Sequence, residues 1–479
     1  MSTQNNTSTV AIQLSDKKRI AVQAGCVCLM LSIAMLGLSF NVLQGPILTE
    51  MNAMKYFSLL TIFASLGLVI MTPIGGKLGD IFGRRNIVVI SGSIAVICGL
   101  GLSLVKTIIP FMTLRLILSA AQGAFTAAPY IIAREINEAK NVPKVMGILA
   151  SSVAFGGFAG SIIAGALADA GLLNIAIAFP VIPLIIGIIL IVINMPNKKR
   201  EGKTPMDVLG IIILTLAISS FVLSLNFGSS LGWTNPIILL GFIAMIIFFF
   251  LLVKVENKAV DPIIPMRLFK NRNYTTLLLV GFLAYFYMTT MNTYAPLAVQ
   301  QVMKESATLS GVLQMPRTII TMLLPALVGV WVGKKRDNFW IGMAVSSILV
   351  AISFIPLCFI NSTTSIVLMI SLIGVTGLAE SIRGVTVTAA AQSFLDPKDM
   401  GVGTALVNFF NSASSLISAA VCGAVFNAAG TNVAKGINGT FVVAVASSAL
   451  QFIIIFMFIR KAMRTQKPAN SNSTNAVIK

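Results

Sequence analysis

Fourteen long apolar runs, separated by short polar connections, leave this chain few choices of fold. Each approaches the roughly 20 residues that a helix needs to cross the hydrocarbon core of a bilayer. They fall at 20–46, 56–78, 86–105, 109–133, 146–168, 172–195, 207–228, 235–255, 274–301, 308–333, 338–360, 364–391, 401–427 and 439–460. Of the 479 residues 56% are hydrophobic and 10% charged, whereas soluble domains carry about a quarter charged residues. A soluble enzyme, a secreted scaffold and a disordered chain are excluded. The expectation is an all-α integral membrane protein, multi-pass in the cell membrane.

The net charge of +19 could suggest a nucleic-acid partner, but the positions of the basic residues decide otherwise. With the N-terminus inside, loop after loop on the cytoplasmic side carries Lys and Arg, among them Lys17–Arg19, Arg84, Arg85, Lys198–Arg200 and Lys334–Arg336. Outside stand Lys55, Lys106, Lys304 and Lys435. Such asymmetry is the positive-inside signal facing anionic lipid, and it places both termini in the cytoplasm. The polar segment 1–19 does not read as a secretory signal. The longest loop, 256–273, mixes Ile264, Met266, Leu268 and Phe269 with Lys258, Arg267, Lys270 and Arg272. That pattern suits a segment lying in the inner interface. No loop can fold alone, so the working parts belong inside the membrane.

There is no histidine, which removes the usual general base and the usual transition-metal ligand. Cys26, Cys28, Cys98, Cys358 and Cys422 lie in apolar runs without metal spacing and read as small hydrophobes. No metal, no cofactor and no catalytic residue is expected. No ATP-binding loop is present either, which leaves an ion gradient as the energy source.

The string Gly75-Gly76-Lys77-Leu78-Gly79-Asp80-Ile81-Phe82-Gly83-Arg84-Arg85 joins the second and third spans on the cytoplasmic side. It resembles the loop signature of the major facilitator superfamily. The resemblance implies a gating motif in which Gly76, Asp80, Gly83, Arg84 and Arg85 form a cytoplasmic latch that holds in one conformation and breaks in the other. The plainer reading is a basic loop with an incidental acid. Further on, Asp207-Val208-Leu209-Gly210, Trp233 and the stretch Asp261-Pro262-Ile263-Ile264-Pro265-Met266-Arg267 resemble the fourteen-helix branch known as drug:proton antiporters. That implies two six-helix halves, 20–195 and 274–463, around a linker of 196–273 with two inserted helices, flanked by cytoplasmic tails 1–19 and 464–479. Such halves pack about a midplane site that opens alternately to each side. The sequence departs from that branch in the first span, where Gly37 stands where the exporters carry an acid. In the fourth span Gln122-Gly123 is preceded by Ser119, with Arg115 one turn further out.

Charges within spans cost roughly 2.5–3.5 kcal/mol each on insertion scales, so each needs a reason. Glu380 lies in the twelfth span with Arg383 at i+3; Arg317 lies in the tenth and Arg115 in the fourth. The bland readings are a self-neutralising Glu380–Arg383 pair, an Arg115 that snorkels outward, and an Arg317 that caps a carbonyl freed by Pro316. The family arrangement implies instead that spans four, nine and twelve line a central cavity. Tyr285, Thr289, Asn292 and Pro296 share one face of span nine, and Thr404, Asn408, Asn411, Ser415 and Ser418 form a polar stripe on span thirteen. Either stripe could be helix–helix glue, the better reading for span thirteen. The functional expectation makes Glu380 the proton-coupling acid and Arg383, Arg317, Arg115, Tyr285, Thr289 and Asn292 the substrate-binding set. In that scheme Arg383 keeps Glu380 ionised until an anion draws the guanidinium away and a proton loads with it.

The leading expectation is a proton-coupled transporter that takes up an amphipathic organic anion by symport, a bile-acid-like carboxylate being a candidate. Multidrug or antibiotic efflux by proton antiport is the alternative. A sensor with a transporter fold lacks an output domain, and a channel lacks a filter segment. The expected partners are a small-molecule substrate, protons and the bilayer, with no nucleic acid, and the protein is expected to be a monomer.

Overall fold

Each apolar run is a helix, because inside hydrocarbon only a helix closes its own backbone hydrogen bonds within one segment. The computed structural model describes residues 14–138, 141–196, 207–259, 264–396 and 399–465. Segment 1–13, Lys198–Arg200 and Lys203 of the linker, Asp261–Ile263 of the second motif, Lys398 and the tail from 466 lie outside the described residues. Fourteen helices are long and apolar enough to cross a membrane. They are α1 (Asp16–Glu50), α2 (Met54–Phe82), α3 (Arg84–Leu102), α4 (Ile108–Ile136), α5 (Lys144–Asp169), α6 (Leu173–Asn194) and α7 (Leu209–Leu231). There follow α8 (Pro236–Glu256), α9 (Arg272–Val302), α10 (Ala307–Lys334), α11 (Asp337–Leu357), α12 (Ile366–Ser393), α13 (Leu406–Ala428) and α14 (Val433–Arg464). Pro180 interrupts α6, and its carbonyl accepts a hydrogen bond from Ser32 Oγ of α1 at 2.7 Å.

Two bundles emerge from the packing. In the first, α1 packs on α5 and α6, α2 on α4, and α3 on α4 and α6. In the second, α10 and α11 pack on α12, and α9 packs on α13 and α14. Helices α7 and α8 pack on each other, and α7 also lies against α2 and α13, one from each bundle. Val222 of α7 closes a small core of Ile62, Leu66 and Val69 from α2 with Leu416, Ala419 and Ala420 from α13. Helix α8 turns large residues such as Phe249 and Phe250 outward, as a lipid-facing helix does.

The bundles also meet at α5 and α10, where glycines permit backbone contact. A Cβ on Gly165 would sit 2.5 Å from the Ala307 carbonyl oxygen, and one on Gly311 would sit 2.5 Å from that of Ser161. On the extracellular side Phe57 of α2, Tyr294 of α9 and Phe426 of α13 form a three-ring plug with centroids 5.5–5.7 Å apart. Gln300 of α9 donates to the Val42 carbonyl at 2.9 Å, and Asn427 of α13 donates to Ser58 Oγ at 2.8 Å. Asp169, the last residue of α5, accepts from the Ala307 and Thr308 backbone N–H groups at the start of α10 at 2.8 and 2.7 Å. These contacts close the outer mouth.

The segment before α9 does not lie free in the inner interface. Met266–Lys270 is a short 3-10 turn whose Leu268, with Ile264, is buried against Leu252, Tyr274 and Leu277. Arg267 pairs with Asp399 at 2.6 Å, and the Ile264 N–H donates to the Glu256 carboxylate at 3.1 Å. Four apolar side chains within seven residues have more to gain from the cytoplasmic ends of α8, α9 and α13 than from headgroups.

Candidate substrate cavity and charged cluster

Inward of the plug, the two halves line a partly open cavity of about 230 Å3. Its wall takes Asn41 and Gln44 from α1, Thr61 and Ser65 from α2, Arg115 and Gln122 from α4, and Ser415 from α13. Helix α9 contributes Tyr285, Met288, Thr289, Asn292 and Thr293. A π turn over Thr290–Tyr294 widens α9 here, so that Asn292 and Thr293 reach the cavity while Tyr294 enters the plug. π turns inside α-helices recur at functional sites. Pro296 shares the sequence face of Tyr285 and Asn292 but is buried beyond the plug, away from the cavity.

Arg115 is 6% exposed and does not snorkel. Its guanidinium lies over the Phe40 ring, 3.9 Å from the centroid, within the range of a cation–π contact. Nη1 is buried without a hydrogen-bond acceptor among the described residues. Among the described residues no acid lines the cavity, and Gly37 opens onto it with none of their atoms within 4 Å of where a Cβ would stand. An acid at that position would therefore project into the cavity. Glycine at this position leaves Arg115 as the charged residue of the lining.

The charged cluster stands behind that wall. Glu380 of α12 pairs with Arg317 of α10, Nη2 to Oε2 at 2.5 Å, and Arg317 Nη1 also donates to Gln314 Oε1 at 3.2 Å. The expected Glu380–Arg383 pair is thus replaced by a pair between helices. Residues at i and i+3 share a helix face, but α10 packs directly on α12 and brings Arg317 to the carboxylate. Nor does Arg317 spend its donors on a carbonyl freed by Pro316. Arg383 turns the other way: Nη2 is 3.5 Å from Met288 Sδ, and the guanidinium is 5.7 Å from the Tyr285 ring centroid. Tyr285 and Met288, which line the cavity, lie against Arg383, and the lining includes none of Glu380, Arg317 and Arg383. Tyr287 is fully buried, with its hydroxyl beside the Arg383 guanidinium.

The cytoplasmic string does structural work within the first half. Gly83 joins α2 to α3 with φ of 91°, a conformation that favours glycine. Arg84 pairs with Asp80 and donates to the Gly76 carbonyl at 2.7 Å; Arg85 donates to the Val192 carbonyl of α6 at 2.8 Å. On α13, Ser418 bonds to Thr289 of α9 as glue, while Ser415 faces the cavity; Asn408 is exposed, and the side chain of Thr404 lies outside the description. The sequence reading missed Asn41, Gln44, Thr61 and Ser65 as cavity residues. The signal was there: Asn41 and Gln44 are amide side chains in a mostly apolar stretch and sit at i and i+3.

A profile of the Major Facilitator Superfamily matches residues 25–419. The multidrug transporter protein MdtP of Bacillus subtilis (strain 168) is 27% identical over 428 residues, which cover 87% of this chain and 77% of that protein. The efflux pump dotC of Dothistroma septosporum is 26% identical over 354 residues, 72% of this chain and 60% of the pump. Among solved structures, the POT family transporter PepTSo superposes with a TM-score of 0.67 at 14% identity, covering 95% of this chain and 100% of its own. A POT family transporter in complex with 5-aminolevulinic acid superposes with 0.68 at 10% identity, covering 94% and 97%. These two likenesses are of fold.

Proposed function

The chain belongs to the Major Facilitator Superfamily and is a multi-pass membrane transporter rather than an enzyme, and we propose that its solute is an amphipathic organic anion taken up together with a proton. The observation that carries this reading is Arg115, a buried guanidinium on the cavity wall with an unused donor and no acid beside it. A buried cation without a counter-charge is costly, and an incoming carboxylate removes that cost with a charge-assisted hydrogen bond. The aromatic and thioether faces of Tyr285 and Met288 suit the apolar body of such a solute. At 230 Å3 the cavity is smaller than the roughly 300–1,000 Å3 of pockets for drug-sized ligands. A carboxylate with one small ring fits within that volume, whereas a bile-acid-sized solute would extend beyond it.

Coupling runs through Glu380. In this conformation Arg317 neutralises it, and Arg383 stands one side chain away from the cavity behind Tyr285 and Met288. An anion beside Arg115 draws the neighbouring guanidinium groups toward the cavity, and the carboxylate they leave takes a proton rather than stay ionised alone. Solute and proton then cross together when the outer or inner mouth opens. Proteoliposomes under an imposed pH gradient test this with a panel of radiolabelled aromatic and steroid carboxylates. Wild type accumulates a carboxylate; Glu380→Gln still exchanges it across the membrane but no longer accumulates it. Accumulation by Glu380→Gln equal to wild type refutes the coupling role. Export by proton antiport is the second reading, favoured by the names of the relatives MdtP and dotC. Cells distinguish the two, since a protonophore abolishes uptake by an importer and raises retention where the protein exports.

A further inference from the structure

The cavity wall asks for more than a negative charge. Gln44 of α1 donates from Nε2 to the Phe57 carbonyl at 2.6 Å and to Thr61 Oγ1 at 2.8 Å. An amide nitrogen carries two hydrogens, so what Gln44 has left for a ligand is the acceptor Oε1. Asn292, raised into the cavity by the π turn of α9, has its Oδ1 buried with no donor among the described residues. Amide side chains from opposite halves, Gln44 and Asn292, thus line a cavity that also carries Arg115, and Asn292 Oδ1 is closed off from solvent without a donor.

We infer that the transported anion also carries a hydrogen-bond donor, a hydroxyl or an amide N–H, which docks on Asn292 and Gln44 while its carboxylate docks on Arg115. The inference rests on the anion reading above and narrows the substrate class within it. Its physical basis is the asymmetry of buried hydrogen bonds: Asn292 Oδ1 already lacks both water and a donor, so a ligand hydroxyl or N–H that reaches it satisfies an acceptor that an apolar tail leaves unpaired. A site built to accept a hydrogen bond rejects the analogue lacking the donor far more strongly than an apolar site rejects a change of one methylene. Because Gln44 belongs to the first half and Asn292 to the second, a ligand bridging them contacts both halves at once, as a solute that drives the rocking of one half against the other must.

The test is a comparison of matched carboxylates that differ in one donor, from 3-(4-hydroxyphenyl)propanoate against 3-phenylpropanoate up to steroid carboxylates with and without ring hydroxyls. Binding is measured by calorimetry on the purified full-length protein in lipid nanodiscs. The expectation is that the hydroxylated member of at least one pair binds wild type about 10-fold tighter or more. Asn292→Leu brings that pair to within about twofold of each other, chiefly by losing the hydroxylated ligand. Asn292→Ser serves where the leucine variant does not fold, and Gln44→Leu tests the other oxygen. Equal binding of both members of every pair by wild type overturns the inference and leaves the anion reading standing. A preference that survives unchanged in the Asn292 and Gln44 variants overturns the residue assignment. Failure of every carboxylate to bind wild type sinks the anion reading itself.

Discussion

Asp169 offers the sharpest perturbation, because it holds the two halves together from a position where its loss harms no core. Its carboxylate accepts from the Ala307 N–H at 2.8 Å, the Thr308 N–H at 2.7 Å and Thr308 Oγ1 at 2.5 Å. The residue terminates α5 in the first half and caps the N-terminus of α10 in the second. Removing an N-cap side chain costs about 0.5–2 kcal/mol; the charge raises that value, and solvent exposure of Asp169 lowers it again. A net weakening of about 1–2 kcal/mol shifts the equilibrium between closed and open outer mouths by roughly 5–30-fold. An outer-open state held at about 1% would rise to roughly 5–23%. Spin labels at Ala170→Cys and Lys304→Cys, with the native cysteines replaced, report the separation of α5 and α10 by pulsed electron spin resonance. Asp169→Ala should populate a longer distance, and Asp169→Asn, which keeps one acceptor oxygen, should do so less. A distance distribution unchanged in folded Asp169→Ala refutes the assignment of this contact as an outer latch.

Four further substitutions probe the same architecture. Gly165→Leu places a side chain on the backbone of Ala307 and Thr308, whose nearest atoms would lie 2.5–2.8 Å from its Cβ, so the same spin-label pair should report a parted seam. Arg317→Gln leaves Glu380 without its ion-pair partner in the bundle. It should cost roughly 2–4 kcal/mol, since Glu380 is 22% exposed and not wholly desolvated. The double variant with Glu380→Gln should recover most of the lost thermal stability. Ser58→Ala strands two amide groups, because Asn226 of α7 and Asn427 of α13 both donate to Ser58 Oγ, at 2.9 and 2.8 Å. A loss of about 1–3 kcal/mol is expected, read as a lower unfolding temperature in detergent. Gly37→Asp sets a carboxylate opposite Arg115 in space that holds no other atom within 4 Å. It should abolish carboxylate binding measured by calorimetry and leave the unfolding temperature close to wild type.

What was legible in the sequence follows from the solvent. Lipid makes helix formation obligatory and length diagnostic, so all fourteen spans could be read from hydropathy, and the basic loops gave their direction. The eleven-residue string was legible for a different reason: Gly83 adopts a φ of 91° that few other residues tolerate, so the turn writes itself into the chain. Partners within the bundle were not legible. Spacing along one helix made Arg383 the evident companion of Glu380, yet the ion pair forms with Arg317, because helix–helix packing brings α10 against α12 and a single strand of text does not say which helices touch. The fate of 264–270 was lost similarly: an amphipathic segment reads the same whether its apolar side faces lipid or the ends of α8, α9 and α13.

The cavity itself combines these lessons. Its charge was visible as an absence, Gly37 in place of an acid, and as a presence, Arg115 in an apolar run. Neither observation alone distinguishes a cavity for anions from a helix that merely tolerates an arginine. The structure joins them, since Gly37 and Arg115 line one space with Asn41, Gln44 and Asn292. A site meant for cations would gain from an acid on that wall and would be repelled by the guanidinium held over Phe40. Multidrug-named relatives at 27% and 26% identity share the scaffold that moves; which solute moves is decided by a handful of polar side chains on that scaffold. In this chain those side chains include one buried cation, Arg115, and the amides of Asn41, Gln44, Gln122 and Asn292, and it is on this set that the proposed anion with a hydrogen-bond donor would dock.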